Sequence, residues 1–107
     1  MRVRLTKNSV TITDANQNNL DIPHASVISI NGTLTAGRAI TGLKAGRAGD
    51  HLILINKTGQ TLSFTDASAS SDAGNRILNP GTLTIANNRA GEFLYDGDQD
   101  RWLFLFN

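Results

Sequence analysis

Four consecutive aliphatic residues, Leu52-Ile53-Leu54-Ile55, constrain this chain more than any other stretch. Successive side chains of a strand point to opposite faces, so an unbroken apolar run is apolar on both. Such a strand needs cover on two sides. A chain of 107 residues suits one domain with a modest core, and the second cover can come from another copy of the chain. The surrounding residues 49–66 read as a β-hairpin. Lys57-Thr58-Gly59-Gln60 is its turn, with Gly59 where a positive φ is easiest. Residues 61–65 then alternate, with Leu62 and Phe64 on one face.

The other strands are short and closely punctuated. Residues 1–13 alternate loosely, Val3 and Leu5 on one face and Arg2 and Arg4 on the other. They read as a first hairpin, an edge strand, or an arm that orders on a partner. Val27, Ile28 and Ile30 form a strand closed by the tight-turn pair Asn31-Gly32, and Thr33-Leu34-Thr35 a further short one. Residues 36–49 carry four glycines, which argues against a helix and leaves a loop around a short strand at Ile40–Leu43. Strands follow at 82–86, 92–95 and 101–106. In the last, Trp102, Phe104 and Phe106 share one face and Leu103 and Leu105 the other. Gly-Arg-Ala at 37–39 and 46–48, and Gly-Thr-Leu-Thr at 32–35 and 81–84, hint at two related β units. Turn signals every eight to twelve residues predict an all-β fold, a small antiparallel β-sandwich or jelly-roll-like barrel. The expected division is an N-terminal strand or arm over 1–13 and a β domain over 14–107.

Little in the chain offers chemistry. There is no cysteine, so no disulfide frame and no thiolate site. A net charge of +1 gives no footprint for nucleic acid or an anionic membrane, and no apolar stretch approaches the length of a membrane helix. Asp96-Gly97-Asp98-Gln99-Asp100 starts like a calcium loop. Arg101 stands where the loop's glycine belongs and no glutamate closes it, so a hairpin turn is the better reading. His24 and His51 lie far apart, and a shared metal site requires the fold to bring them together. Glu92 is the only glutamate, and no nucleophile is accompanied by its base. No enzyme activity, cofactor or metal is expected. Arginine outnumbers lysine seven to three, and its planar fork suits contacts between proteins as well as plain surface charge. The candidate interface residues are therefore Arg2, Arg4 and Leu5 at the start of the chain and Trp102, Phe104 and Phe106 at its end.

From residue 49 to 102 the order is Gly-Asp, an aliphatic strand, Asn56-Lys57-Thr58-Gly59-Gln60, a Leu-x-Phe strand, a small-residue loop and Asn75-Arg76-Ile77. Then come Pro80-Gly81, a Leu-x-Ile strand, Tyr95-Asp96 and Arg101-Trp102. Taken in this order, the pieces resemble a β-rich module of tailed-bacteriophage structural proteins, found in tail fibres, spikes and small virion-surface proteins. The resemblance covers about the C-terminal half. It implies a homotrimeric β structure without catalytic residues. With no shaft-like repeat ahead of it and a short basic arm, the chain is expected to be a capsid decoration (cement) protein. Its partners would be itself and the major capsid protein, on the outer head surface, with no nucleic acid and no membrane. The alternative is a tail-fibre or tail-spike domain recognising a host glycan through loops 67–74 and 96–100, with Trp102 or Tyr95 exposed to stack on sugar.

Overall fold

The computed structural model describes residues 2–44, 46–79 and 83–106. It is all-β, with one 3-10 turn at Ala73–Asn75. Nine strands form among the described residues: β1 Lys7–Thr11, β2 Val27–Asn31, β3 Arg38–Ile40, β4 His51–Lys57, β5 Leu62–Phe64, β6 Ile77–Leu78, β7 Leu83–Ile85, β8 Ala90–Asp96 and β9 Arg101–Phe106. They make a six-stranded sheet in the order β1-β2-β4-β8-β9-β6 and a three-stranded sheet in the order β3-β5-β7. A single core lies between the two. Ile28, Leu54, Phe93 and Trp102 enter it from the larger sheet, and Ile40, Leu62, Phe64 and Ile85 from the smaller.

The arrangement is not the expected antiparallel sandwich. β1, β2 and β4 run parallel, with Lys7 opposite Val27 and Val27 opposite Ile53. β3 and β5 are also parallel, and isolated parallel bridges join Gln17 to Ile40 and Leu20 to Leu43. The chain thus winds through one sheet, over to the other and back, returning to register after 20 residues and then after 26. These are stacked, solenoid-like rungs. Parallel neighbours need a crossover connection, and the segments 12–26 and 32–50 supply it. Among the named strands of the described residues, β4-β8, β8-β9 and β5-β7 pair antiparallel, and an isolated antiparallel bridge joins Gly42 to Arg76.

The expected hairpin at residues 49–66 does not form either. β4 pairs with β2 and β8, whereas β5 pairs with β3 and β7, so the two strands belong to different sheets. Asn56 is the reason. Its side-chain amide donates to the Gln60 carbonyl (2.7 Å), and its Oδ1 accepts from the Thr58 N–H (3.0 Å) and hydroxyl (2.7 Å). Gly59 adopts φ +88° and donates its N–H to Asn87 Oδ1. The segment closes on Asn56 as a corner and turns the chain out of one sheet into the other. Similarly, β1 is a lone edge strand and not half of a hairpin, and no strand forms at Thr33-Leu34-Thr35.

Small residues permit the close stacking. A Cβ added to Gly42 would sit 2.5 Å from Ser71 Oγ and 2.7 Å from the Asn75 carbonyl oxygen. Beside it, Thr41, Asn18, Asn19, Ser71 and Asn75 share hydrogen bonds that tie rung to rung. Asn19 holds φ +46°, a region tolerated by Asn, and its Oδ1 accepts from the Asp72 N–H and the Asn75 amide.

Candidate functional site

The two groups of predicted interface residues meet different fates. Arg2, Arg4 and Leu5 are exposed, on the segment leading into β1. Trp102 is only 2% exposed; its indole N–H donates to the Leu43 carbonyl (3.0 Å) and its ring meets Tyr95 edge-on at 5.1 Å. The Tyr95 hydroxyl donates to the Gly74 carbonyl (2.7 Å), and burial pushes that hydroxyl's pKa up. Phe104 is half-buried, its ring 4.7 Å from that of Phe93. The Phe106 side chain lies outside the described residues. Trp102 and Tyr95 are thus committed to the core of their own protomer, and neither forms an exposed platform for a sugar ring.

What the alternation does leave outside is the second face of the strands with apolar runs. Leu52, Leu54 and Asn56 of β4 point into the core, so Ile53 and Ile55 point out, as do Leu94 of β8 and Leu103 and Leu105 of β9. Val27 stands beside Ile53, and Leu94 beside Leu103. The result is an aliphatic band across the outer face of the larger sheet. Glu92 sits in the band, 2.7 Å from His51 Nε2. Toward β1 the same face turns polar, with Lys7, Ser9, Asn31 and Lys57 around a groove and the buried Ser29 hydroxyl unpartnered beneath them.

A cleft of about 390 Å³ opens at one end of the sheet, between residues 22–26 and 44–52. It brings His24 and His51 to a common wall, together with Lys44 and Asp50, over a floor of Ile22, Pro23 and Leu52. Among the described residues, no group of three or more metal-ligating side chains converges. Asp50 Oδ2 accepts the Arg47 N–H (3.0 Å), and Thr6 Oγ1 accepts the Ser26 N–H (3.0 Å), so both groups are already engaged in shaping the loops. The Lys44 backbone N–H donates to the Leu20 carbonyl (2.9 Å), while the side chains of Lys44 and His24 have no hydrogen-bond partner among the described residues. The sequence signal for this convergence is the rung itself. Val27-Ile28-Ser29-Ile30-Asn31 lies beside Ile53-Leu54-Ile55-Asn56-Lys57, a 26-residue offset that carries residue 24 to the neighbourhood of 50 and 51.

The Asp96–Asp100 turn keeps its carboxylate for itself. Asp96 accepts from Gln99 Nε2 (2.8 Å) and the Asp98 N–H (2.9 Å), and these bonds, Gln99 first, hold its pKa below the ordinary 3.8. Asp14 is lowered in the same way by the Thr35 hydroxyl (2.7 Å) and then by Arg38 Nε (2.9 Å). A carboxylate with a depressed folded pKa contributes stability that is present above its unfolded pKa and lost as pH falls through the folded one. The denaturation midpoint is therefore expected to hold from pH 7 to about 5 and to fall below pH 4. Asp14→Asn and Asp96→Asn should each flatten that acid limb. Denaturant titrations at stepwise pH check this, and an unchanged limb in both variants would refute it.

Neither a family model nor a curated relative matches the chain.

Proposed function

We propose that the chain is a structural protein of a tailed-bacteriophage virion, whose function is assembly. In this reading it forms a homotrimer on the outer surface of the head and acts as a decoration (cement) protein, binding the major capsid protein and holding neighbouring subunits together. The observation that carries it is the half-exposed aliphatic band of Val27, Ile53, Ile55, Leu94, Leu103 and Leu105 on the outer sheet face. Burying a Val or Leu side chain contributes roughly 1.5–3 kcal/mol, so association through this face is well rewarded. A trimer touching several capsid subunits at once gains further from multivalency, since each later contact is made at high effective concentration. The resemblance of residues 49–102 to phage modules supplies the trimeric count and the virion setting. No bound cofactor and no catalytic step belong to this function.

A second reading, a tail-fibre or tail-spike module binding a host glycan, is favoured by one feature. β1, the first rung, is an edge strand, and a parallel stack can be continued from such an edge. With Trp102 and Tyr95 inside, glycan contact would fall to loops and to the cleft beside His24.

Sedimentation velocity at micromolar concentration, followed by gold-labelled antibody on intact virions, tests both. Three chains per particle and label on the head are the expected results. Label on the tail would transfer the trimer to the second reading, and a stable monomer absent from virions would end both.

A further inference from the structure

Among the described residues, three large apolar side chains are strongly exposed: Val3 (77%), Leu5 (43%) and Leu105 (44%). They fall into two groups. Val3 and Leu5 alternate in sequence with Arg2 and Arg4 ahead of β1, and Leu105 belongs to the aliphatic band on the outer sheet face. Among the described residues, the segment's hydrogen bonds to its own protomer are made at Thr6. The Thr6 carbonyl accepts the Val27 N–H (2.9 Å) and its hydroxyl accepts the Ser26 N–H. Residues 2–5 make no hydrogen bond or ion pair among the described residues. Arg2 and Arg4 thus carry two guanidinium groups unpaired among the described residues, and once the segment lies extended on a surface they fall on the side opposite Val3 and Leu5.

The sheet face has the complementary character. Glu92, which also meets His51 Nε2, lies inside the band, and Asp96, which accepts from Gln99 and the Asp98 N–H through one lone pair on each oxygen, lies at its margin, followed by Asp98 and Asp100 in the turn. The register places segment and acidic margin at the same end. Lys7, Val27, Ile53 and Glu92 align across β1, β2, β4 and β8, the first three strands parallel and β8 antiparallel to them. The chain before Lys7 and β8 after Glu92 therefore lie toward the same end of the sheet. They are separated by three strand spacings, roughly 14 Å.

We infer that residues 2–5 of one copy lie on the outer sheet face of a neighbouring copy. Val3 and Leu5 cover the band at Leu94, Leu103 and Leu105, and Arg2 and Arg4 face Glu92 and Asp96. The occupant is a second copy of this chain, because each copy carries both halves of the contact, matched in apolarity and opposite in charge. An arm and a face at different places on one chain make a heterologous contact, which closes into a ring when the rotation between copies allows. This rests on the assembly reading above and specifies its contact.

Complementation tests it. One variant carries Val3→Asp and Arg4→Glu, a damaged arm with an intact face. The other carries Leu94→Asp and Leu105→Asp, an intact arm with a damaged face. Each alone is expected to associate at least about 100-fold more weakly than the wild-type chain, since two buried aliphatic contacts are lost. Mixed in equal amounts, the two should form a species of two chains, with the good arm of one on the good face of the other. Circular dichroism and the melting midpoint of each variant establish that it is folded. The arm substitutions lie outside every strand, so that variant decides the matter even if the face variant unfolds. A wild-type oligomer that the arm variant forms equally well overturns the arm contact and leaves the assembly reading standing. A monomeric wild-type chain overturns both.

Discussion

Replacing Asn56 by leucine is expected to destabilise the protein by about 3–5 kcal/mol, although leucine is the more hydrophobic residue and the site is fully buried. Asn56 occupies the rung position of Ile30 and, one rung further, Val10. By pattern alone an aliphatic side chain belongs there. The asparagine instead bonds three backbone groups at the corner. Its amide donates to the Gln60 carbonyl and to the Ile85 carbonyl (2.8 Å), and its Oδ1 accepts the Thr58 N–H. Leucine takes this partner from the Thr58 N–H and the Ile85 carbonyl in a water-free setting, at about 1–3 kcal/mol each before relaxation, and leaves the Gln60 carbonyl only the Thr58 hydroxyl (3.1 Å). Asn56→Asp should be nearly as damaging, because a carboxylate cannot donate to the two carbonyls. Chemical denaturation of both variants checks this. A leucine variant as stable as the parent would show that the corner does not depend on these bonds.

The same residue explains what was legible in the sequence and what was not. Most of the later strands are readable because their alternation is local: β7, β8 and β9 fall where Leu83/Ile85, Phe93/Tyr95 and Trp102/Phe104 predict. The two-faced character of β4 is equally plain. Sheet membership is not local. The Lys57-Thr58-Gly59-Gln60 signal announces a turn without giving its direction, and the direction depends on an Asn56 bond to Ile85, 29 residues away. The parallel rungs hide for a related reason. Stacked inward positions read Asn8, Ile28, Leu54 and Val10, Ile30, Asn56, so the polar members mask the repeat. The short Gly-Arg-Ala matches, nine residues apart, follow a different spacing from the 20- and 26-residue rungs. The cleft that unites His24 and His51 inherits this invisibility, since it depends on the rung offset. The outward aliphatic band does not. It follows from strand alternation once one face of β4, β8 and β9 is known to be buried.

Trp102→Ala is expected to cost about 3–5 kcal/mol of stability, comparable to truncating a central core residue. The chain ends in alternating aromatics, and the question is which cover they take: another subunit, a ligand, or the protein itself. For Trp102 the geometry answers. The indole is all but inaccessible, stacked edge-on against Tyr95 and bonded to the Leu43 carbonyl from a distant rung. That contact joins β9 to the crossover after β3, so it is one of the bonds that hold the larger sheet against the rest of the rung. Trp102→Phe keeps much of the apolar volume but leaves the Leu43 carbonyl unpaired, and should cost about 1–3 kcal/mol. As the only tryptophan, Trp102 reports on itself. Its emission should be blue-shifted in the native protein and move red in one step with unfolding, at the midpoint seen by circular dichroism. If Trp102→Ala left the midpoint unchanged and altered only association, the indole would be an interface residue and the aliphatic band its rim. If stability falls as expected, the aromatic face of β9 is the protomer's own. The part of the strand free to meet a second copy is then its opposite face, at Leu103 and Leu105.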